Sequence, residues 1–163
     1  MPPPRLVPHR SFPPSVFVPG RGPHPESDPA GYHFGRGRLP AAPLDPSGWR
    51  QHETYLFGID LFNAGYYWEA HAEFERLWLA AGRRGEHADF LKGLIQLAAA
   101  GVKHQEGVAA GVASHARRAA ELFRASGEAL FGLRPALLAD LAAAVAQGGW
   151  PEGLVALEPV GGE

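Results

Sequence analysis

From Trp49 onward, apolar residues recur three and four positions apart, and Gly or Pro stands where the runs break. That period predicts helices near 47–63, 66–81, 86–106, 108–126 and 134–147. Asn63-Ala64-Gly65 closes the first and Gly82 the second, since Gly accepts the left-handed conformation of a helix C-terminus. Short links predict antiparallel neighbours. In the second helix Tyr67, Ala70, Phe74 and Leu77 form the expected core stripe, with Glu69, Glu73 and Arg76 as a solvent stripe on the far side. The third carries two adjacent apolar stripes, Phe90/Leu94/Leu97 and Leu91/Ile95/Ala98/Val102, and is expected to be the most buried; Lys92, Gln96 and Lys103 share its remaining face. The last two helices are Ala-rich and amphipathic, with Arg117, Arg118, Glu121 and Arg124 towards solvent and no pattern that signals chemistry. Two Gly-then-helix units, in residues 62–78 and 104–123, hint at stacked hairpins of the tetratricopeptide kind.

Upstream the periodicity vanishes. Of the 16 prolines, 13 lie in residues 1–46, where a helix would lose hydrogen bonds and clash at almost every turn. The chain therefore divides into a Pro-rich extended segment (1–46), an all-α body (47–149) and a C-terminal tail (150–163). The fold class expected is all-α, a single domain of about five antiparallel helices. Composition alone would make the first segment a disordered tail. Phe12, Val16, Phe17, Val18, Tyr32 and Phe34 give it more apolar surface than a solvated linker needs, so it is expected to lie against the body, over the face of Trp68, His71, Glu75 and Trp78.

At 163 residues and 45% hydrophobic content, one domain with an ordinary core is expected. The 15 basic and 17 acidic residues leave a net charge of -2, which favours neither a nucleic-acid backbone nor an anionic membrane as partner. No cysteine is present, so disulfides, thiolate metal sites and a cysteine nucleophile are excluded, and any metal must use His, Asp or Glu. Without a long apolar run or a secretory-type segment, the expected location is cytoplasmic.

One stretch, YYWEAHAEFERLW, sets His71 and Glu75 one turn apart between Trp68 and Trp78, all within about 80° of helix circumference. Three readings stand open: a structural pair that completes the core, a metal site, or metal-free acid-base chemistry in which the indoles keep water away from the carboxylate. A metal would need a third ligand, for which His104, Asp60, Glu53 and His24 are the available donors; His24 and Asp28 repeat the four-residue spacing in a loop. H-E-x-x-H, the E-x-x-H of di-iron bundles, Walker, Rossmann and G-x-S-x-G patterns are all absent.

These residues resemble an uncharacterised bacterial and archaeal family, domain of unknown function 309, marked by an H-x-x-x-E-x-x-W helix that His71, Glu75 and Trp78 match. The similarity runs through GIDLFNAGYYWEAHAEFERLW and FLKGLIQLAAAGVKHQEG, residues 58–107, and longer members are similar across residues 17–35 as well. Many members carry an acid directly after the motif His, where this chain has Ala72. The resemblance implies an all-α fold and a metal role for the His and Glu, and it supplies no reaction.

The first functional expectation is thus a metal-assisted, hydrolytic site. Glu75 would be ligand or general base and His71 ligand or proton carrier, with His24 the favoured third ligand to a divalent cation; Trp68, Trp78 and Gln96 would line the pocket. The rival is a non-enzymatic helical-hairpin module gripping a peptide, with the pair holding its helices in register. Neither reading identifies a substrate or partner, and both allow a homo-oligomer.

Overall fold

A computed structural model describes residues 2–128, 130–153 and 155–160. Residue 1 of the Pro-rich segment and residues 154 and 161–163 of the tail lie outside the described residues. Five α-helices follow in order: α1 (Glu53–Asn63), α2 (Tyr67–Ala80), α3 (Glu86–Glu106), α4 (Ala109–Ala125) and α5 (Pro135–Gly148). There is no strand among the described residues, and no helix among them is long and apolar enough to cross a membrane. The one clear boundary difference is at the start. Trp49–Gln51 is a single 3-10 turn, and the chain extends at His52 before α1 begins. His52 makes that break useful, since its Nδ1 accepts the Tyr55 amide hydrogen at 3.4 Å while Nε2 donates to the Ala42 carbonyl at 2.8 Å.

Each helix packs chiefly on the next in sequence. Glycines inside the helices set how closely they approach. A Cβ on Gly58 would stand 2.7 Å from the Phe74 ring, one on Gly93 2.6 Å from Phe123, and one on Gly101 2.6 Å from Tyr67. Interior glycine weakens a helix by about 1 kcal/mol, so at these three crossings the ring packing outweighs local propensity. After α2, the Gly82 amide bonds the Leu79 carbonyl and the Arg83 amide the Trp78 carbonyl, the paired bonds of a Schellman stop. Gly82 lies at φ 79° as that stop requires, and Arg83 follows it into the same region at φ 68°.

Although α3 supplies much of the core, α1 is the more completely enclosed, being buried without a break from Phe57 to Asn63. Its apolar period alone does not foretell this, because its outer sides are covered by the chain's two irregular ends. On one side the Asp60 carboxylate, 2% exposed, accepts from the Leu6 and Val7 amides at 2.8 Å each and from Arg5 Nε at 3.1 Å. Arg5 lies over the Phe12 ring, which stacks on Tyr66 and Phe57. On the other side Asn63 donates Nδ2 to the Leu157 carbonyl at 2.8 Å and accepts the Leu157 amide at 2.7 Å, and Val155 and Leu157 are buried.

The solvent stripe expected on α2 is corrected in the same way. Glu69 and Glu73 are 2% and 4% exposed because residues 17–38 lie over them. Glu69 Oε1 accepts from the Phe17 amide (3.4 Å) and the Tyr32 hydroxyl (3.2 Å). Glu73 takes Arg38 Nη1 at 2.8 Å on one oxygen and Arg76 Nη1 at 2.7 Å on the other. Of the six large apolar side chains expected to dock, Phe17 is buried, Phe12, Val18 and Tyr32 are half-buried, and Val16 and Phe34 remain exposed.

Two outcomes are expected from this packing. Gly101→Ala should destabilise the fold by about 1–3 kcal/mol through overpacking against Tyr67, read as a lower urea midpoint at unchanged slope. Asp60→Ala should cost about 2–3 kcal/mol and speed tryptic cleavage after Arg10, since Arg5 and two amides lose their shared acceptor.

Candidate functional site

The outer flank of α2 and residues 26–41 enclose a cleft of about 660 Å3. Its α2 wall is Trp68, His71, Ala72, Glu75 and Leu79, and its facing wall is Arg38, Leu39, Pro40 and Ala41. The walls are tied together from below. Buried Glu73 grips Arg38 from one wall and Arg76 from the other, and Arg76 Nε donates to the Leu39 carbonyl at 2.8 Å.

His71 Nε2 and Glu75 Oε2 are 3.9 Å apart, beyond hydrogen-bond length, with side chains 34% and 48% exposed. The pair is therefore not a locked core contact. Nor is it as dry as the flanking indoles led one to expect. Trp68 turns to the Pro-rich segment, meeting Phe17 and His24 edge to face at 5.1 and 5.2 Å, and Lys92 Nζ lies 4.4 Å from the centre of the Trp78 ring. Burial pushes the His71 imidazole below its ordinary value; Glu75 opposes that shift, and Lys92 and His115 add to it.

Of the sequence-derived candidates, Trp68, His71 and Glu75 line the cleft, while Trp78 and Gln96 do not. Gln96 is partly buried on α3, where its Oε1 lies 2.7 Å from His115 Nδ1. His115, on a helix that showed no chemical pattern, is itself held below the ordinary range, first by burial and then by Lys103. No periodicity could have exposed this contact between α3 and α4. The candidate third ligands are all engaged elsewhere. His24 Nδ1 accepts the Glu26 and Ser27 amides, closing a turn; Asp60 holds the N-terminal residues; Glu53 meets His9 and Arg10; His104 stacks on Trp150. No group of three or more His, Asp or Glu placed to hold a metal occurs among the described residues. Two donors alone do not fit a metal centre of the usual three or four protein ligands.

The Pro-rich segment thus sits one stripe away from its expected place. It covers Glu69, Glu73 and part of Trp68, and it forms a side of the His71/Glu75 cleft where a lid was expected.

Residues 55–115, which span α1 to α3 and the start of α4, match the family model described as "Domain of unknown function (DUF309)", and the match supports assigning this segment to that family. No curated protein and no solved structure matches the chain.

His71→Ala and Glu75→Gln should each change stability by less than about 1 kcal/mol, as a half-exposed pair at this distance contributes little; chemical denaturation checks it. In a proton NMR titration the His71 midpoint should lie below the ordinary His value of about 6.5. Glu75→Gln should lower it further and Lys92→Met should raise it. Because the unfolded chain binds this proton more readily, the His71 contribution to stability is present above the unfolded value and fades as pH falls through the folded one.

Proposed function

We propose that the cleft between α2 and residues 26–41 binds a small organic molecule and that His71 serves there as a proton acceptor, hydrolysis being one reaction this allows. The observation that carries the reading is the placement of His71 and Glu75 on the wall of an open cleft at 3.9 Å, with the imidazole biased towards its neutral form. A neutral imidazole can take a proton from a ligand or from a water beside it, and the Glu75 carboxylate then stabilises the imidazolium formed. Lys92 limits that stabilisation and keeps the base free near neutral pH. Trp68, Leu39 and Leu79 offer apolar contact, and Arg83, with no carboxylate within ion-pair distance among the described residues, offers a charge to an acidic ligand group. The proposal is for a cytoplasmic protein acting on neither nucleic acid nor bilayer, on the charge balance of the sequence.

The peptide-gripping alternative has less support, because Glu26, Arg38, Arg76 and Arg83 interrupt the cleft's apolar surface where a hairpin module would offer a continuous groove. A thermal-shift screen of small carboxylic acids and esters against the whole chain tests the proposal. Hits should be lost in Ala72→Phe, which fills the cleft, and retained in His71→Ala, which should remove any turnover. Binding that Ala72→Phe leaves unchanged would place the ligand elsewhere and overturn the reading.

A further inference from the structure

Two arginines reach the His71/Glu75 cleft from opposite walls. Arg38, on the extended segment, and Arg76, on α2, both line it, with side chains only 21% and 20% exposed. Each guanidinium is fixed at two points. Arg38 gives Nη1 to one Glu73 oxygen at 2.8 Å and Nε to Glu26, while Arg76 gives Nη1 to the other Glu73 oxygen at 2.7 Å and Nε to the Leu39 carbonyl at 2.8 Å. Because one buried carboxylate holds both, the two guanidinium groups are neighbours.

The third nitrogen of each is left over. Arg38 Nη2 and Arg76 Nη2 have no acceptor among the described residues, and neither lies out of the solvent's reach. Both side chains are mostly buried, and the cleft is the open space they border. The lining's own carboxylates do not take up these donors, since Glu26 is engaged at Arg38 Nε and Glu75 faces His71 Nε2 at 3.9 Å. A free surface arginine loses side-chain entropy each time it meets an acid; here Glu73, Glu26 and the Leu39 carbonyl have already fixed both groups, so an incoming anion finds them in place. Planar N–H donors of this kind match the oxygens of a carboxylate or a phosphate. Round the helix, Ala72 lies between His71 and Arg76, which are five residues, or about 7.5 Å of helix axis, apart.

We infer that Arg38 and Arg76 form an oxoanion seat: the ligand of this cleft carries a carboxylate or a phosphate, held by the two Nη2 groups, and its body crosses Ala72 towards His71. The inference rests on the function proposed above and narrows its substrate class to small acids and phosphate esters whose reacting atom lies a few bonds from the charge. Glu73 is a positioning residue in this arrangement, since it acts through the two arginines.

The test is an NMR titration of the whole chain with butyrate, propyl phosphate and neutral butyramide, following the Trp68 indole N–H, identified by its loss in Trp68→Phe. At least one anion should give saturable shifts at millimolar concentration and bind at least tenfold more tightly than butyramide; the tighter anion identifies the group. Arg38→Lys and Arg76→Lys keep the charge and lose the planar donors, and each should weaken that anion about tenfold. Glu73→Gln should weaken it too, although it removes a negative charge; tighter binding in that variant would show attraction by net charge alone and overturn the seat. Anion binding unchanged in both lysine variants would overturn it as well. Equal binding of the anions and butyramide would overturn the inference and leave the small-molecule reading standing, whereas shifts that survive Ala72→Phe arise outside the cleft and count against both. The absence of any saturable shift would overturn the inference, with the broader thermal-shift screen deciding the wider reading. Comparing anion with amide in the wild-type chain needs no variant, so the test stands should a substitution prevent folding.

Discussion

Three carboxylates on the helical body, Asp60, Glu69 and Glu73, are almost fully removed from water, and nearly every donor they receive comes from the Pro-rich segment. Dehydrating a carboxylate is so unfavourable that such positions are tenable only when hydrogen-bond donors replace the lost water. The segment supplies backbone amides, a phenol and guanidinium groups at the points required. The exchange is not complete, for Glu69 Oε2 has no donor among the described residues, and burial holds this carboxyl above its ordinary range. Polar docking of this kind returns little net free energy. The surplus must come from Phe12 and Phe17 leaving water and from prolines that have less conformational freedom to lose.

The cleft depends on the same arrangement. Glu73 is the joint at which its two walls meet, since one buried carboxylate holds Arg38 from the extended segment and Arg76 from α2. Had that position carried an apolar residue, the segment would have lost one of the points that fix its register along the helix, leaving the bonds of Glu69 to Phe17 and Tyr32 and of Arg76 to Leu39. A polar pair at this depth sets alignment more than it adds stability, which is the better-attested use of buried ion pairs. The spacing between His71 and the Leu39–Ala41 stretch is thereby influenced by a residue outside the cleft's lining.

Helix number, type and ends were legible from the chain because they depend on local rules: apolar spacing of three and four, and glycine at the stops after Asn63-Ala64 and at Gly82. His71 and Glu75 were legible as a pair for the same reason. The burial of Glu69 and Glu73 was not. A helical wheel treats each helix as having one partner face, and apart from Arg76 the donors to these residues lie 35 to 52 positions away in a segment without periodicity. The same blindness placed the segment over Trp78 and hid the approach of His115 to Gln96, a contact between helices that each look ordinary alone. Charge pattern gives a carboxylate's position on a helix; it does not say what will arrive to cover it.

The two-way bond between Asn63 and the Leu157 backbone carries a kinetic consequence. It joins positions 94 residues apart, and closure over such a span costs more chain entropy than any contact between successive helices. The four contacts between successive helices, by comparison, join near neighbours in sequence and carry a smaller closure cost. During synthesis α1 precedes the other four helices, and one of its flanks stays open until residues 155–157 have been made. That flank bears Phe62, whose ring meets Trp150, and Asn63, so apolar and polar surface of the first helix alike await residues made after the last one.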